Sequence, residues 1–115
     1  MNEIARYLEI GVYKFVHSSD INSFEWKDEI SIDLENSGVD YVFRVKANTF
    51  IGLQAKPNTY NAMTFQKRHN RSGNRLFSRL YKGKVFYFDG SLGKEKVTEI
   101  LVPKIQKEIA HLKLV

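Results

Sequence analysis

The residues best suited to chemistry lie between positions 65 and 84, where cationic and aromatic side chains alternate with small polar ones. Seven lysines and arginines share this stretch with Phe65, His69, Phe77 and Tyr81. Guanidinium groups bind phosphates through paired hydrogen bonds, and aromatic rings stack on bases. Residues 68–75, RHNRSGNR, set Gly, Ser and Asn beside three arginines, a composition typical of an anion-binding turn.

The charge of the whole chain is divided unevenly along its length. Residues 41–88 contain ten lysines and arginines and no Asp or Glu, whereas residues 1–40 contain nine acids and three bases. Lysines and arginines that displace counterions from phosphates supply most of the nonspecific affinity of proteins for nucleic acid. Carboxylates would repel such a polyanion, so a polyanionic partner explains why residues 41–88 contain no Asp or Glu. We therefore predict a partner that is DNA or RNA, bound by Arg44, Lys46, Lys67, Arg68, His69, Arg71, Arg75, Phe77, Arg79, Tyr81, Lys82 and Lys84.

A metal-independent ribonuclease is the first alternative. His, Arg and Tyr side chains can orient a 2′-hydroxyl and stabilise the charge that develops on the phosphate during cleavage. The candidate catalytic set is His69, Arg75, Arg79 and Tyr81. The stretch GNRLFSRLYKGKVFYF, residues 73–88, also resembles the late hairpin of the RelE-type ribonuclease toxins, a resemblance that implies endoribonuclease activity.

A protein-interaction module or inhibitor is the second alternative. The acidic first third and the basic middle form opposed poles, which can dock on a protein partner or on a second copy of the chain. Charge alone does not separate this hypothesis from nucleic-acid binding. A basic face that is only solvated, or that docks on the acidic first third of the same chain, also explains the charge pattern, without any partner.

The sequence predicts neither a metal site nor a cofactor. The chain has no cysteine, which excludes disulfides, thiolate nucleophiles and the common cysteine-containing zinc sites. Asp40 followed by Lys46 resembles the Asp, then Glu-x-Lys, of restriction-type nucleases, but Arg44 stands where that pattern needs its second carboxylate. We therefore expect a binding protein without catalytic activity.

The cellular setting is predicted to be the cytoplasm, without membrane association. Glu3, Arg6 and Glu9 interrupt the apolar residues at the start of the chain, which does not fit a secretory signal. No apolar run approaches the roughly 20 residues that a membrane-spanning helix needs.

The elements that must position these residues suggest a single α+β domain over residues 1–115. Residues 39–47 alternate in polarity and residues 49–56 follow directly, so both predict strands, and Pro57 with Asn58 predicts a turn that ends the pair. Residues 75–81 and 84–90 predict a hairpin across Lys82 and Gly83. We expect an antiparallel sheet of about four to six strands, a short N-terminal helix, and a C-terminal helix that is broken near Pro103. Within residues 91–115 that helix has an apolar stripe at Val97, Ile100, Leu101, Ile105, Ile109 and Leu112. Residues 28–36 fit a helix or a strand equally well.

Overall fold

A computed structural model of the chain describes residues 10–55, 64–89 and 92–114, and for residues 64–71 it describes the backbone alone. The predicted α+β class is confirmed, with four strands and a C-terminal helix. In chain order the elements are β1 (Val16–His17), β2 (Tyr41–Lys46), β3 (Thr49–Ala55), α1 (Thr64–Tyr81), β4 (Lys82–Phe88) and α2 (Lys94–Leu114), with two 3-10 helices, Ser18–Ser23 and Lys27–Glu29, between β1 and β2.

The sheet is mixed, which corrects the prediction of a purely antiparallel one. Its order is β1-β2-β3-β4, and the first two pairings are antiparallel. The third pairing, between β3 and β4, is parallel. Parallel neighbours cannot be joined by a tight turn and need a crossover connection, which α1 supplies.

The region predicted as a strand over 75–81 is the second half of α1, so the predicted hairpin does not form. A strand would place Arg75, Phe77, Arg79 and Tyr81 on one face, but burial follows helical spacing rather than a period of two. The buried side chains lie three and four residues apart: Asn74, Phe77 and Tyr81. The exposed side chains lie on the opposite side of the helix: Arg75, Leu76, Arg79 and Leu80.

The change from α1 to β4 takes place without a loop. Lys82 has a φ of 70°, the left-handed conformation that commonly ends a helix, and it is also the first residue of β4. A Cβ at Gly83 would lie 1.9 Å from the carbonyl oxygen of Phe50, which is far inside contact distance. Only glycine therefore allows β4 to leave the helix directly alongside β3.

The two helices cover opposite faces of the sheet. α1 lies on the face that carries Gly52 and Gln54, because Phe77 packs beside Gly52 and the Asn74 amide donates to Gln54. α2 lies on the other face, which carries Phe86, and contacts β4 and β2. One continuous core joins the sheet to both helices.

The C-terminal helix is confirmed, but it is not broken. α2 runs through Pro103, which is exposed. Proline removes the hydrogen bond to the carbonyl of Glu99, and because Glu99 is also exposed, water can satisfy that carbonyl. The predicted apolar stripe is buried at Val97, Leu101, Ile105, Ile109 and Leu112, whereas Ile100 is 39% exposed.

The segment before β2 is mostly irregular. Residues 28–36 form neither an α-helix nor a strand: a 3-10 turn at Lys27–Glu29 is followed by a turn in which the Asp33 carboxylate accepts from the backbone N–H groups of Glu35 and Asn36. The predicted N-terminal helix and the Pro57 turn fall largely or wholly outside the described residues. In the described ranges, neither helix combines the length and the apolar character that crossing a membrane would require.

Candidate nucleic-acid interface

The fold distributes the predicted basic residues over two ends of the sheet. Arg44 and Lys46 close β2, and they lie at the same end as Lys82, because Phe50 pairs with both Arg44 and Lys82. The first half of α1 starts from the opposite end, after the end of β3. That half carries four further predicted site residues, whose side chains lie outside the described part: Lys67, Arg68, His69 and Arg71.

Arg44 is engaged within the chain. Its Nη1 atom lies 2.8 Å from Oε2 of Glu29, and the other oxygen of the same carboxylate accepts from the backbone N–H of Asn48 at 2.8 Å. Glu29 therefore offsets the charge of Arg44 and holds the β2–β3 turn. At this point the acidic and basic segments of the chain contact each other, which is the docking within one chain that the charge pattern also allowed.

Phe77 and Tyr81 are core residues, which corrects the expectation that one of them stacks on bases. Their side chains are 0% and 4% exposed. The two rings pack against each other, and the Tyr81 ring also packs against Phe50. The Tyr81 hydroxyl accepts from the backbone N–H of Ser31 at 2.8 Å.

The predicted ribonuclease set is not assembled by the described residues. Arg75 and Arg79 point away from the sheet, while Tyr81 points into the core. The side chain of His69 lies outside the described part. Residues 73–88 form a helix followed by a strand, so the hairpin that carried the resemblance to RelE-type toxins is absent.

A basic groove lies between β4 and α2, with a volume of about 530 Å³. Two lysines of β4 that the sequence predicted as site residues line this groove together with three residues of α2 that the charge pattern did not identify. The helical spacing of these three, at i, i+3 and i+7, could have revealed them once the C-terminal helix was predicted. The cationic and neutral residues that line the groove are Lys82, Lys84, Phe86, Lys104, Lys107 and His111.

One carboxylate, Glu108, also lines the groove, and it is 6% exposed. Its Oε2 atom accepts from the backbone N–H of Lys84 at 3.1 Å. This hydrogen bond fixes the edge strand to α2. The four lysines that line the groove with Glu108 are all exposed, whereas Glu108 itself is buried.

An apolar hollow of about 450 Å³ continues from the basic groove, since both are lined by Phe86 and Lys104. Leu92 and Ile100, which are 48% and 39% exposed, line its outer part. We call the two together the β4–α2 groove. Nothing in the described part of the chain pairs with the outer edge of β4, which forms one wall.

A polar cluster occupies the other end of the sheet, where the parallel strands β3 and β4 reach their carboxyl ends. The Asn74 amide donates to Gln54 Oε1 at 3.2 Å and to the hydroxyl of Tyr87. Its own Oδ1 is buried, with no hydrogen-bond partner among the described residues. Asp40, which immediately precedes β2, accepts from the backbone N–H of Ala55 at 2.8 Å.

The electrostatic state of Asp40 is set mainly by burial. Burial raises the pKa of its carboxyl above the ordinary value, and the hydrogen bond from Ala55 opposes that rise. Ligands bind preferentially at the carboxyl ends of parallel strands, which makes this cluster a second candidate site. Among the described residues, no three His, Cys, Asp or Glu side chains gather in a way that could hold a metal ion.

Comparison with known proteins does not assign the chain to a family. No protein-family model matches it, and no curated protein or solved structure matches it significantly. Its function must therefore be inferred from its own residues and their geometry.

Proposed function

We propose that this chain binds nucleic acid through the basic half of the β4–α2 groove. The observation that carries the proposal is the convergence of four exposed lysines on one concave surface. Two of them, Lys82 and Lys84, belong to residues 41–88, the acid-free segment. The other two, Lys104 and Lys107, belong to α2, about 20 residues later in the chain. Lysines that face one groove from two elements can contact successive phosphates of one strand.

The distribution of acids supports this proposal over a generally solvated basic face. The carboxylate in the groove is buried and bonded to the backbone, so it forms part of the floor while the lysines extend beyond it. Arg44, by contrast, lies beside Glu29, and we assign it to the fold rather than to the interface.

Salt-dependent binding tests the proposal. Labelled single- and double-stranded DNA and RNA are titrated with the full chain at low and at moderate salt. Affinity should fall steeply with salt, and the double variant Lys104→Ala with Lys107→Ala should reduce the log–log slope by about 0.7 to 0.9 for each phosphate that the protein no longer neutralises. Lys27→Ala with Lys96→Ala removes the same charge from exposed positions outside the groove and serves as the matched control.

Two results would refute the proposal. Absence of binding to every nucleic acid at low salt would remove it. Equal weakening by the groove variant and the control variant would show that net charge, rather than the groove, is responsible. Retention of a protein partner from nuclease-treated extract would instead favour the interaction-module alternative.

A second candidate function is divalent-cation-dependent cleavage of a phosphodiester, favoured by the position of Asp40 next to β3. In β2, which follows Asp40, Arg44 stands where the restriction-nuclease pattern needs its second carboxylate. The adjacent strand ends in Gln54 and Ala55, and Lys56 follows them in the sequence, outside the described residues. Along the sequence the order is therefore Asp40, then Gln54-x-Lys56, with an amide oxygen in place of the second carboxylate.

These residues fit a weakly held Mg²⁺ better than a dedicated metal cage. Mg²⁺ keeps several waters and is bound through one or two carboxylates together with substrate phosphates. The Asp40 carboxylate and the Gln54 amide oxygen are hard donors; the first accepts from the N–H of Ala55, the residue after Gln54, and the second accepts from the Asn74 amide. The Oδ1 of Asn74 is buried with no hydrogen-bond partner among the described residues. A bound cation would stabilise the charge that develops on the phosphate.

Incubation of the nucleic acids with Mg²⁺ or Mn²⁺, and in parallel with EDTA, tests this second candidate. Cleavage should require the cation, should be abolished in Asp40→Asn, and should persist in Asp28→Asn, an exposed control. Intact substrates under every condition would remove this function. Cleavage that continues in EDTA would point to the metal-independent ribonuclease instead.

A further inference from the structure

The β4–α2 groove has two chemically different halves that form one surface. Lys104 and Phe86 line both halves, so a ligand that lies along β4 passes from one to the other. The basic half carries the four lysines and the buried Glu108, and the apolar half is lined by residues such as Val97, Ile100 and Leu101 and also by Asp89. A ligand that complements both halves has anionic groups next to flat or apolar groups.

The junction of the two halves is an aromatic side chain. Phe86 is partly buried against the core, and part of it forms the wall that both halves share. Next to it, Ile100 leaves more than a third of its surface in contact with solvent, although it belongs to a helix whose other apolar residues are mostly buried. Exposed apolar surface that adjoins a charged rim is typical of a binding site.

We propose that the β4–α2 groove binds single-stranded nucleic acid, with phosphates on the lysines and a base against Phe86 in the apolar half. This inference rests on the proposed function and names its substrate class. A duplex offers phosphates to the basic half, but its bases are stacked inside the helix and cannot enter the apolar half. A single strand presents both, and its bases can leave the stack at little cost.

The affinity of the chain for three fluorescent probes of equal length tests this inference. The probes are a single strand of 12 nucleotides, the duplex of the same sequence, and a single strand whose central nucleotides are abasic. The abasic probe retains every phosphate and lacks the bases. Stacking on an aromatic side chain should make the intact strand bind roughly fivefold tighter or more than the abasic strand. Phe86→Leu should remove most of that difference, and its affinities for the duplex and the abasic strand measure the part of its effect that does not depend on an exposed base.

A second variant tests the apolar half independently of any effect that Phe86→Leu has on folding. Ile100→Ser changes an exposed residue of the apolar half without changing charge, and it should also lower the preference for the intact strand. Circular dichroism of both variants establishes that they are folded. Poly-glutamate of similar charge provides an acidic peptide as competitor.

The outcomes separate this inference from the proposed function. Equal affinity for the intact and abasic strands, with weakening of both by the Lys104 and Lys107 substitutions, would overturn the stacking and retain phosphate binding. Poly-glutamate that competes as well as the intact strand would overturn recognition of nucleic acid in favour of an acidic protein partner. Absence of binding to all probes would overturn both proposals.

Discussion

Gly83→Ala should be among the most destabilising single substitutions in this chain. The added Cβ would lie 1.9 Å from the carbonyl oxygen of Phe50 and 2.8 Å from its carbonyl carbon. Both atoms belong to the backbone of β3, so no rotamer change relieves the overlap. Overpacking of a core by side-chain atoms costs about 1 to 3 kcal/mol, and a clash with paired backbone should cost about 3 kcal/mol or more. This is a large part of a total stability on the order of 5 to 15 kcal/mol.

Urea denaturation followed by circular dichroism measures this cost, and Gly11→Ala provides the comparison. Gly11 has a φ of 58°, and nothing lies within 4 Å of the position that its Cβ would take, so alanine there adds backbone strain of about 1 to 2 kcal/mol without a clash. Gly83→Ala should therefore lower the unfolding free energy clearly more than Gly11→Ala. An equal or smaller decrease would refute the idea that close approach of β4 to β3 requires glycine.

Three other side chains give further predictions. Asp40→Asn keeps an acceptor for Ala55 and removes a buried charge. Because the pKa of Asp40 is raised in the folded state, the native chain loses stability as the pH rises through that pKa. The urea midpoint of the variant relative to that of the natural chain should therefore be higher at about pH 7 than at about pH 4, and the opposite trend would contradict this. Tyr81→Phe leaves the N–H of Ser31 without its acceptor and should cost about 1 kcal/mol in the same assay, and unchanged stability would show that water replaces the hydroxyl. Glu108→Gln keeps an acceptor for the strand and removes the negative charge from the groove, so low-salt affinity for a single strand should rise by up to about fivefold, whereas weaker binding would argue against the groove.

The β2–β3 hairpin and α2 could be predicted because their local patterns agree with their environments. Residues 41–46 and 49–55 are extended and mostly buried, with turn residues between them. α2 has an apolar stripe long enough to exclude a strand, and its one contrary signal, Pro103, lies on the exposed side. In these segments the intrinsic preference and the tertiary contacts favour the same structure.

α1 was mispredicted because its buried face is narrow. Phe77 and Tyr81 are four residues apart, a spacing that satisfies both a period of two and a period of 3.6. The residue that decides between them is Asn74, a polar side chain that is buried only because Gln54 and Tyr87 bond it. No local pattern identifies a polar residue as part of a helix's buried face when its partners lie on other elements.

The basic groove was only half predictable for a related reason. Lys82 and Lys84 belong to the acid-free segment, but Lys104 and Lys107 lie in a segment whose charges nearly balance, so counting charges along the chain gave no reason to choose them. A helix places residues that are close in sequence on different faces, so the charge density along a segment differs from the charge density on one of its surfaces.

The same principle explains why the acid-free segment does not form one binding surface. Its cations are divided between the two ends of the sheet by the strand–helix–strand crossover, and one of them, Arg44, contacts the acidic segment. The groove acquires its positive charge from β4 and α2 together because the Glu108 hydrogen bond holds the edge strand against the helix. If nucleic acid binds there, its affinity should depend on this packing as much as on the lysines, so destabilising the β4–α2 contact should weaken binding before it unfolds the chain.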